Sequence, residues 1–345
     1  MSESKKEIKC VIWDLDHTLW EGTLVENDEI RLKPGVVDVI KELDSRGILH
    51  SVSSKNNYDD AMEKLKEFSL EEYFLYPQIS WNAKSLGVAN IQQNLNFAMD
   101  TILFIDDQPF EREEVKSAHP EVTCIDASGY IKLPHLPRLN PRFITADSQK
   151  RRKMYWDDFN RKVEEDEYEG PPEAFLASLD MHFVIHGAVE EDLKRAEELT
   201  VRTNQLNATG RTYDYDELNA IRLSDKHKLL VCELTDKYGS YGKIGLALIE
   251  IQEEYWHLKL LLMSCRVMAR GVGTVVMSHI MQETKKAGKK LRADFKKTGR
   301  NRMMYVSYKF SNFKEVNSDE DGNILFENDL SMIQPFPPYI DVKIY

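Results

Sequence analysis

Two short apolar runs in this chain each end in aspartates: Lys9 to Trp13 (KCVIW) runs into Asp14-Leu15-Asp16, and Thr101 to Ile105 (TILFI) runs into Asp106-Asp107. Runs of this length, rich in β-branched and aromatic residues, fit buried strands and are too short for buried helices. Between and after them the apolar spacing is helical. Val36, Val37, Val39, Ile40 and Leu43 follow the helix-start signal Pro34-Gly35; Ala61, Met62, Leu65 and Phe68 mark a second helix; Pro109 opens another. Ile48–Val52 and Glu121–Ile125 complete the set of strand candidates. Alternating strands and helices imply a parallel sheet covered on both faces, an α/β fold. Ligand sites in such sheets lie beyond the carboxyl ends of the strands, so both acidic pairs are expected at one edge.

Carboxylates gathered that closely repel one another, and some take up protons unless a cation balances them. A hard divalent ion with oxygen ligands is the natural partner, and Mg²⁺ suits a site that also holds phosphate. Ser54 closes the second strand, so its hydroxyl reaches the same edge, with Ser53 as the neighbouring alternative; Lys84, in Trp81-Asn82-Ala83-Lys84-Ser85, offers positive charge. Together these groups fit phosphoryl chemistry: one aspartate attacks phosphorus, another moves a proton, and the cation and lysine neutralise oxygens. The stretches from Thr18 to Pro34 and from Ser54 to Lys84 are too short for a folded lid domain. An open mouth of that kind favours a macromolecular or protein-tethered substrate.

The order Asp14-Leu15-Asp16-His17-Thr18, Ser54, Lys84, Asp106-Asp107 resembles the four motifs of haloacid dehalogenase-like (HAD) hydrolases. The resemblance implies Asp14 as nucleophile, Asp16 as acid/base and Lys84 as the balancing cation. It implies Thr18, Ser54 and Asn56 as phosphate contacts. Mg²⁺ is then held by the Asp14 carboxylate, the Asp16 backbone carbonyl and the Asp106 carboxylate, with Asp107 in support. Longer strings narrow the family. Trp20-Glu21-Gly22, Ser53-Ser54-Lys55-Asn56-Asn57, Trp81–Ser85 and Ile105–Glu114 look like the FkbH family, as do Val201–Asn207, Leu262–Val267 and Arg270-Gly271 in the second half. That resemblance implies an enzyme that takes a three-carbon glyceryl unit from 1,3-bisphosphoglycerate, a phosphorylated acyl donor, and loads it onto the phosphopantetheine arm of an acyl carrier protein in polyketide or related biosynthesis. His17 stands where Asn is usual, beside the two aspartates.

In the second half, Trp256–Met263 reads as a strand leading into Arg270-Gly271-Val272-Gly273 and a helix to about Lys286. With Asn301 and Tyr305–Phe313 behind it, this is similar to the acyl-CoA site of GNAT N-acetyltransferases, which implies a GNAT-like α/β domain with Arg270, Gly271 and Gly273 at the cofactor. Met268 departs from the usual Gln or Arg there. Cys265, beside Arg266, is a candidate thiolate that carries the glyceryl group. Thr203, Asn204 and Asn207 either contact substrate or cap helices; Trp13 and Trp20 are expected to pack.

The domains read as 1–145, HAD-like; 146–172, a solvated charged helix and linker; and 173–345, GNAT-like. Residues 131–142 are Pro-rich and read as an extended connection, and Tyr238–Gly242 as a loop. With 46 Lys and Arg against 58 Asp and Glu, the formal net charge of −12 gives no global footprint for nucleic acid. Four scattered cysteines fit a reducing compartment. The N-terminus lacks a signal-peptide core, and no run approaches the roughly 20 apolar residues of a membrane span. A cytoplasmic enzyme with no membrane partner is therefore expected. Other readings are a plain phosphatase fused to a non-catalytic GNAT-like domain, and a carrier-protein docking module without catalysis.

Overall fold

A computed structural model describes residues 6–26 and 28–345; residues 1–5 of the N-terminal stretch read above for a leader lie outside the described residues. Contacts divide the chain into two compact units, Met1–Trp156 and Asp157–Tyr345.

In the first unit, strands β1 (Cys10–Trp13), β2 (Leu49–Ser54), β3 (Gln78–Ile79), β4 (Ile102–Asp106) and β5 (Thr123–Asp126) form one sheet in the order β3-β2-β1-β4-β5. Every pairing is parallel. β1 lies at the centre and is fully buried, as its unbroken apolar run requires. The helices are α1 (Val36–Ser45), α2 (Tyr58–Glu67), α3 (Lys84–Leu95) and α4 (Pro109–Ala118). α1 buries Val36, Val39, Ile40 and Leu43, while Val37, at the edge of the expected stripe, is only partly buried, and Gly35 precedes the helix in the left-handed region at φ 77°. Asn57 caps α2 by accepting the amides of Asp59 and Asp60. Beneath the sheet, the Trp13 indole donates to His50 Nδ1 at 3.0 Å, and the other ring nitrogen of His50 lies 3.1 Å from the Ile40 carbonyl. Trp13 and Trp20 are both core residues.

Residues 131–142 are not extended. They wind through 3-10 turns, Ala127–His135 and Pro137–Leu139, pinned by Arg46, whose guanidinium donates to the carbonyls of Pro134 and Leu139. Prolines suit the first turn of such helices as well as extended chain, so their density alone does not separate the two.

Helix α5 (Arg151–Glu167) contains the division between the units. Within the first unit Arg152 pairs with Asp44 and Glu72; within the second, Arg161 is buried against Asp236. A long side chain that snorkels and pairs makes a densely charged stretch read as solvated.

The second unit is built on an eight-stranded sheet: β6 (Met181–Gly187), β7 (His227–Asp236), β8 (Gly239–Ile251), β9 (Tyr255–Met263), β10 (Lys290–Lys296), β11 (Lys314–Ser318), β12 (Asn323–Asn328) and β13 (Ile340–Ile344), ordered β11-β12-β10-β9-β8-β7-β6-β13. Tyr238–Gly242 is the tight turn and start of β8 rather than a free loop; Asp236 accepts the amides of Tyr238 and Gly239. Helices α6 (Leu193–Arg202) and α7 (Tyr215–Arg222) share one core cluster with β7–β9. Helices α8 (Val272–Lys286) and α9 (Arg302–Phe310) share another. β9 and β10 are parallel and pair only over Tyr255–Leu258 and Lys290–Ala293, then diverge. The second unit is thus a splayed, mixed sheet with helices on both faces, and the first a parallel sheet flanked by helices. No helix among the described residues is long and apolar enough to cross a membrane.

Candidate active site

The carboxyl ends of β1 and β4 are locked side by side. The Asp14 amide donates to the Ile105 carbonyl at 3.0 Å, and the Asp107 amide donates to the Thr18 hydroxyl at 3.1 Å. One carboxylate oxygen from each of Asp14, Asp106 and Asp107 consequently lies within 4.8 Å of the other two. Lys84, the first residue of α3, inserts its ammonium between them, 2.8 Å from Asp14 Oδ1 and 2.6 Å from Asp106 Oδ2. α3 can come that close because Gly87 faces β2, where a Cβ would collide with the Ser53 hydroxyl.

Burial governs the charges. It pushes the Asp14 carboxyl up, against the pull of Lys84 and of the hydrogen bond from Ser54. It pushes Asp106 up to about 7, reinforced by the negative charge of Asp14 and opposed by Lys84. Burial works against the charge of Lys84 as well, but the two carboxylates outweigh it and hold its ammonium above the ordinary lysine value. One lysine therefore leaves the group short of positive charge. Asp107 Oδ1 is buried with no hydrogen-bond partner in the protein, a cost that a coordinated cation removes. Three hard oxygen donors, a charge deficit and an orphaned oxygen fit a divalent cation, and Mg²⁺ is the ion they suit.

The other candidates take distinct places. Ser53 and Ser54 are both buried; the Ser54 hydroxyl bonds to Asp14, and the Ser53 hydroxyl donates to the Lys84 carbonyl at 3.2 Å. The Asp16 carboxylate is not in the metal group. It accepts the Trp20 indole at 2.8 Å, the Leu24 amide at 3.2 Å and the Asn56 amide nitrogen at 3.0 Å, leaving its main chain for a cation. Thr18 is fully buried and braces the Asp107 loop, so its part is to hold the two acidic loops together rather than to face a phosphate. Asn56 orients Asp16 through one end of its amide, while its Oδ1 is buried without a partner. Sequence reasoning missed the outer supports: Gln108 donates its amide to Asp106 Oδ1, Arg112 donates to the Asp106 carbonyl, and Lys55 pairs with the buried Glu111 at 2.7 Å. Their signal in the sequence lies in the strings Ile105–Glu114 and Ser53–Asn57.

The second unit brings its candidates together less completely. Gly271 and Gly273 line a 370 Å³ cavity with Met263, Met277 and Met304. Gly271 is left-handed at φ 77°, and the place of its missing Cβ is taken by Tyr339, whose hydroxyl would lie 2.6 Å away. The close approach that this glycine permits is thus to a tyrosine of the same chain. Arg270, expected beside the cofactor, does not line the cavity; it pairs with Glu165 at 3.1 Å and lies over the Phe175 ring. Cys265 is half-buried at the start of a short turn after β9, and the guanidinium of Arg266 is committed to the Tyr241 carbonyl at 2.8 Å.

A second group, His186, Asp192 and Glu233, also brings its ligand atoms within 4.8 Å. Lys243 already lies 3.2 Å from Asp192 and 3.6 Å from Glu233, and among the described residues no buried oxygen there lacks a partner.

No protein-family model matches the chain. It is 27% identical to human (Homo sapiens) magnesium-dependent phosphatase 1 over 159 residues, 41% of this chain and 89% of that protein. The N-terminal part of BF1531 from Bacteroides fragilis, described as containing a phosphatase domain complexed with Mg, is 31% identical with a TM-score of 0.34. The match covers 39% of this chain and only 40% of that one. The ribosomal-protein-S18-alanine N-acetyltransferase of Escherichia coli is 16% identical over 44% of this chain and 95% of its own, with a TM-score of 0.34. With the acidic cluster and Lys84 in place, the first part of the chain is similar in sequence to a magnesium-dependent phosphatase over most of that protein's length.

Proposed function

We propose that the chain is a Mg²⁺-dependent enzyme of phosphoryl-group chemistry that takes a phosphorylated three-carbon acyl donor, 1,3-bisphosphoglycerate, and delivers its glyceryl group to the pantetheine thiol of an acyl carrier protein. The observation that carries the phosphoryl half is the junction of Asp14, Asp106, Asp107 and Lys84 at one sheet edge. The support for the acyl half is the FkbH-like strings in both units.

At the first centre, Asp14 attacks phosphorus and forms an aspartyl phosphate, and the leaving alkoxide takes a proton from Asp16. Water then attacks phosphorus with Asp16 as base, releasing inorganic phosphate and restoring Asp14. Asn56, Trp20 and the Leu24 amide hold Asp16 in one orientation for both proton transfers. Ser54 fixes the Asp14 carboxylate, and Lys84 neutralises it before phosphate arrives. A bound Mg²⁺ supplies charge neutralisation of the phosphoryl oxygens. This chemistry suits the phosphate ester of the donor.

Loading needs a different bond to break. The carrier thiolate attacks the acyl carbon, the acyl C–O bond breaks, a thioester forms and inorganic phosphate leaves. Cys265 is the candidate relay, accepting the glyceryl group first and passing it on by thioester exchange.

Incubation of the full chain with labelled donor, carrier protein and Mg²⁺, followed by intact-protein mass spectrometry, tests the reading. Glyceryl mass on the carrier supports it. Phosphate release with no carrier mass leaves a plain phosphatase with a non-catalytic second unit, the reading favoured by the extent of the human phosphatase match. Turnover unchanged in Asp14→Asn leaves a docking module. Carrier loading retained in Cys265→Ala removes the relay and spares the rest.

A further inference from the structure

The seam between β9 and β10 carries a feature that neither the site nor the comparisons assign. Two parallel strands that diverge leave facing rows of main-chain donors and acceptors, ready for an extended, amide-bearing ligand to add as a strand. Here β9 runs on to Met263 and β10 to Lys296, beyond the last paired residues Leu258 and Ala293. The opening is filled by the chain itself. On the β9 side, the Ala208 amide donates to the Leu261 carbonyl at 2.9 Å and the Met263 amide donates to the Leu206 carbonyl at 2.8 Å, with Asn207 paired antiparallel to Leu262. On the β10 side, the Lys296 amide donates to the Ala208 carbonyl at 3.0 Å.

Two buried asparagines hold this insert. Asn301 Nδ2 donates to the carbonyls of Asn207, Ala208 and Lys296, at 2.9, 3.2 and 2.9 Å, and so staples the insert to β10. Asn207 Oδ1 accepts the amides of Thr209 and Gly210, turning the chain away as it leaves the seam. The fully buried Ala208 and Asn207 leave no room beside them.

The insert also separates two cavities. Leu206, at its start, lines the 370 Å³ cavity with Leu261, Met263 and residues of α8 and α9. Thr209, Gly210 and Arg211, just after it, line a 630 Å³ cavity with Lys259, Asp294 and Lys296. Asp294, Phe295 and Lys296 of β10 border the larger cavity, and Phe295 also belongs to the core packed with α8 and α9.

We infer that Leu206–Ala208 is a built-in strand that closes the β9–β10 seam, so that a pantetheine arm enters the seam only by displacing it, and the two cavities communicate only when it is displaced. The insert is a gate within the second unit, independent of the chemistry assigned to Asp14. A pantetheine arm carries two amides in an extended chain, the same kind of groups that Leu206–Ala208 presents, so the two compete for the Leu261 carbonyl and the Met263 and Lys296 amides.

Hydrogen exchange and calorimetry on the full chain test this, with pantetheine and coenzyme A as probes. In the unmodified protein the amides of Ala208, Met263 and Lys296 are expected to be protected as a set, and both probes to bind weakly. Asn301→Ala should speed exchange at all three and tighten pantetheine binding at least tenfold. Ala208→Pro, which removes the donor to the Leu261 carbonyl and fixes the backbone of the insert, is the second variant should Asn301→Ala fail to fold, and the same tightening is expected. Tightening of coenzyme A alone would assign the gain to its nucleotide and overturn the inference. So would exchange at the three amides as fast as in an unstructured chain, binding of pantetheine that leaves their protection unchanged, or an unchanged affinity in the folded variant.

Discussion

Lys84→Met is the most informative single substitution. In the native chain one buried ammonium contacts two buried carboxylates, at 2.8 Å from Asp14 and 2.6 Å from Asp106. Methionine keeps the apolar stem of the side chain and removes the ammonium. What remains is a group of three carboxylates within 4.8 Å with no cation. Breaking a buried pair by deleting one partner costs about 3–5 kcal/mol. For a unit of 156 residues, with about 2–4 °C per kcal/mol, that is a fall in Tm of roughly 6–20 °C in metal-free buffer. Saturating Mg²⁺ should recover part of it, about 2.7 kcal/mol at a hundredfold excess over Kd. The assay is thermal unfolding of wild type and variant, each with chelator and with Mg²⁺. The reasoning is refuted if the variant melts within about 1 °C of wild type without metal, or if Mg²⁺ stabilises both equally.

Metal-free protein should lose stability as pH rises from about 4 through 7, because burial, and then Asp14, lifts Asp106 from 3.8 to about 7. The folded state keeps a proton there that the unfolded state releases. Mg²⁺ should abolish that loss, as melting curves across the range will show. His50 behaves oppositely: burial lowers it to about 3, so the folded state refuses a proton that the unfolded state accepts, and this contribution is lost as pH falls below about 6.5. An NMR titration should find its ring neutral at pH 5, and a protonated ring there contradicts the buried Trp13–His50 bond. Arg161→Ala strips a guanidinium that is doubly bonded to the fully buried Asp236 carboxylate and stacked 3.9 Å from Tyr241. It should destabilise the second unit by about 3–5 kcal/mol in denaturant titrations, and a change below about 1 kcal/mol contradicts the pairing. Thr18→Val removes the acceptor of the Asp107 amide while keeping shape. Mg²⁺ affinity should drop about tenfold by calorimetry, and an unchanged affinity removes Thr18 from the support of the site.

The acidic site was legible because its residues stand at strand ends, where short apolar runs stop abruptly, and because parallel-sheet topology sends strand ends to one edge. Asp14, Ser54, Lys84, Asp106 and Asp107 could be assembled on paper for that reason. The direction of individual side chains could not. Asp16 turns to Trp20 and Asn56, and Thr18 turns to the Asp107 amide, through contacts whose geometry the spacing does not carry. The second unit was read less completely. β6 and β13 pair across more than 150 residues of chain, Met181 with Ile340, and no local pattern announces such a partner. Leu206–Ala208 is too short for any periodicity, so its place as a strand emerges only from the hydrogen bonds on both sides. The acidic run in α5 hid Arg161, because a lone buried charge with distant partners looks like any other charge on a solvated helix.

The ion itself provides the most direct test. Mn²⁺, standing in for Mg²⁺ and giving an anomalous signal, should appear in crystals of the full chain as one site among the Asp14, Asp106 and Asp107 carboxylates and the Asp16 carbonyl. An anomalous peak at His186, Asp192 and Glu233 instead, or none between Asp14 and Asp106, would contradict the assignment of the catalytic centre.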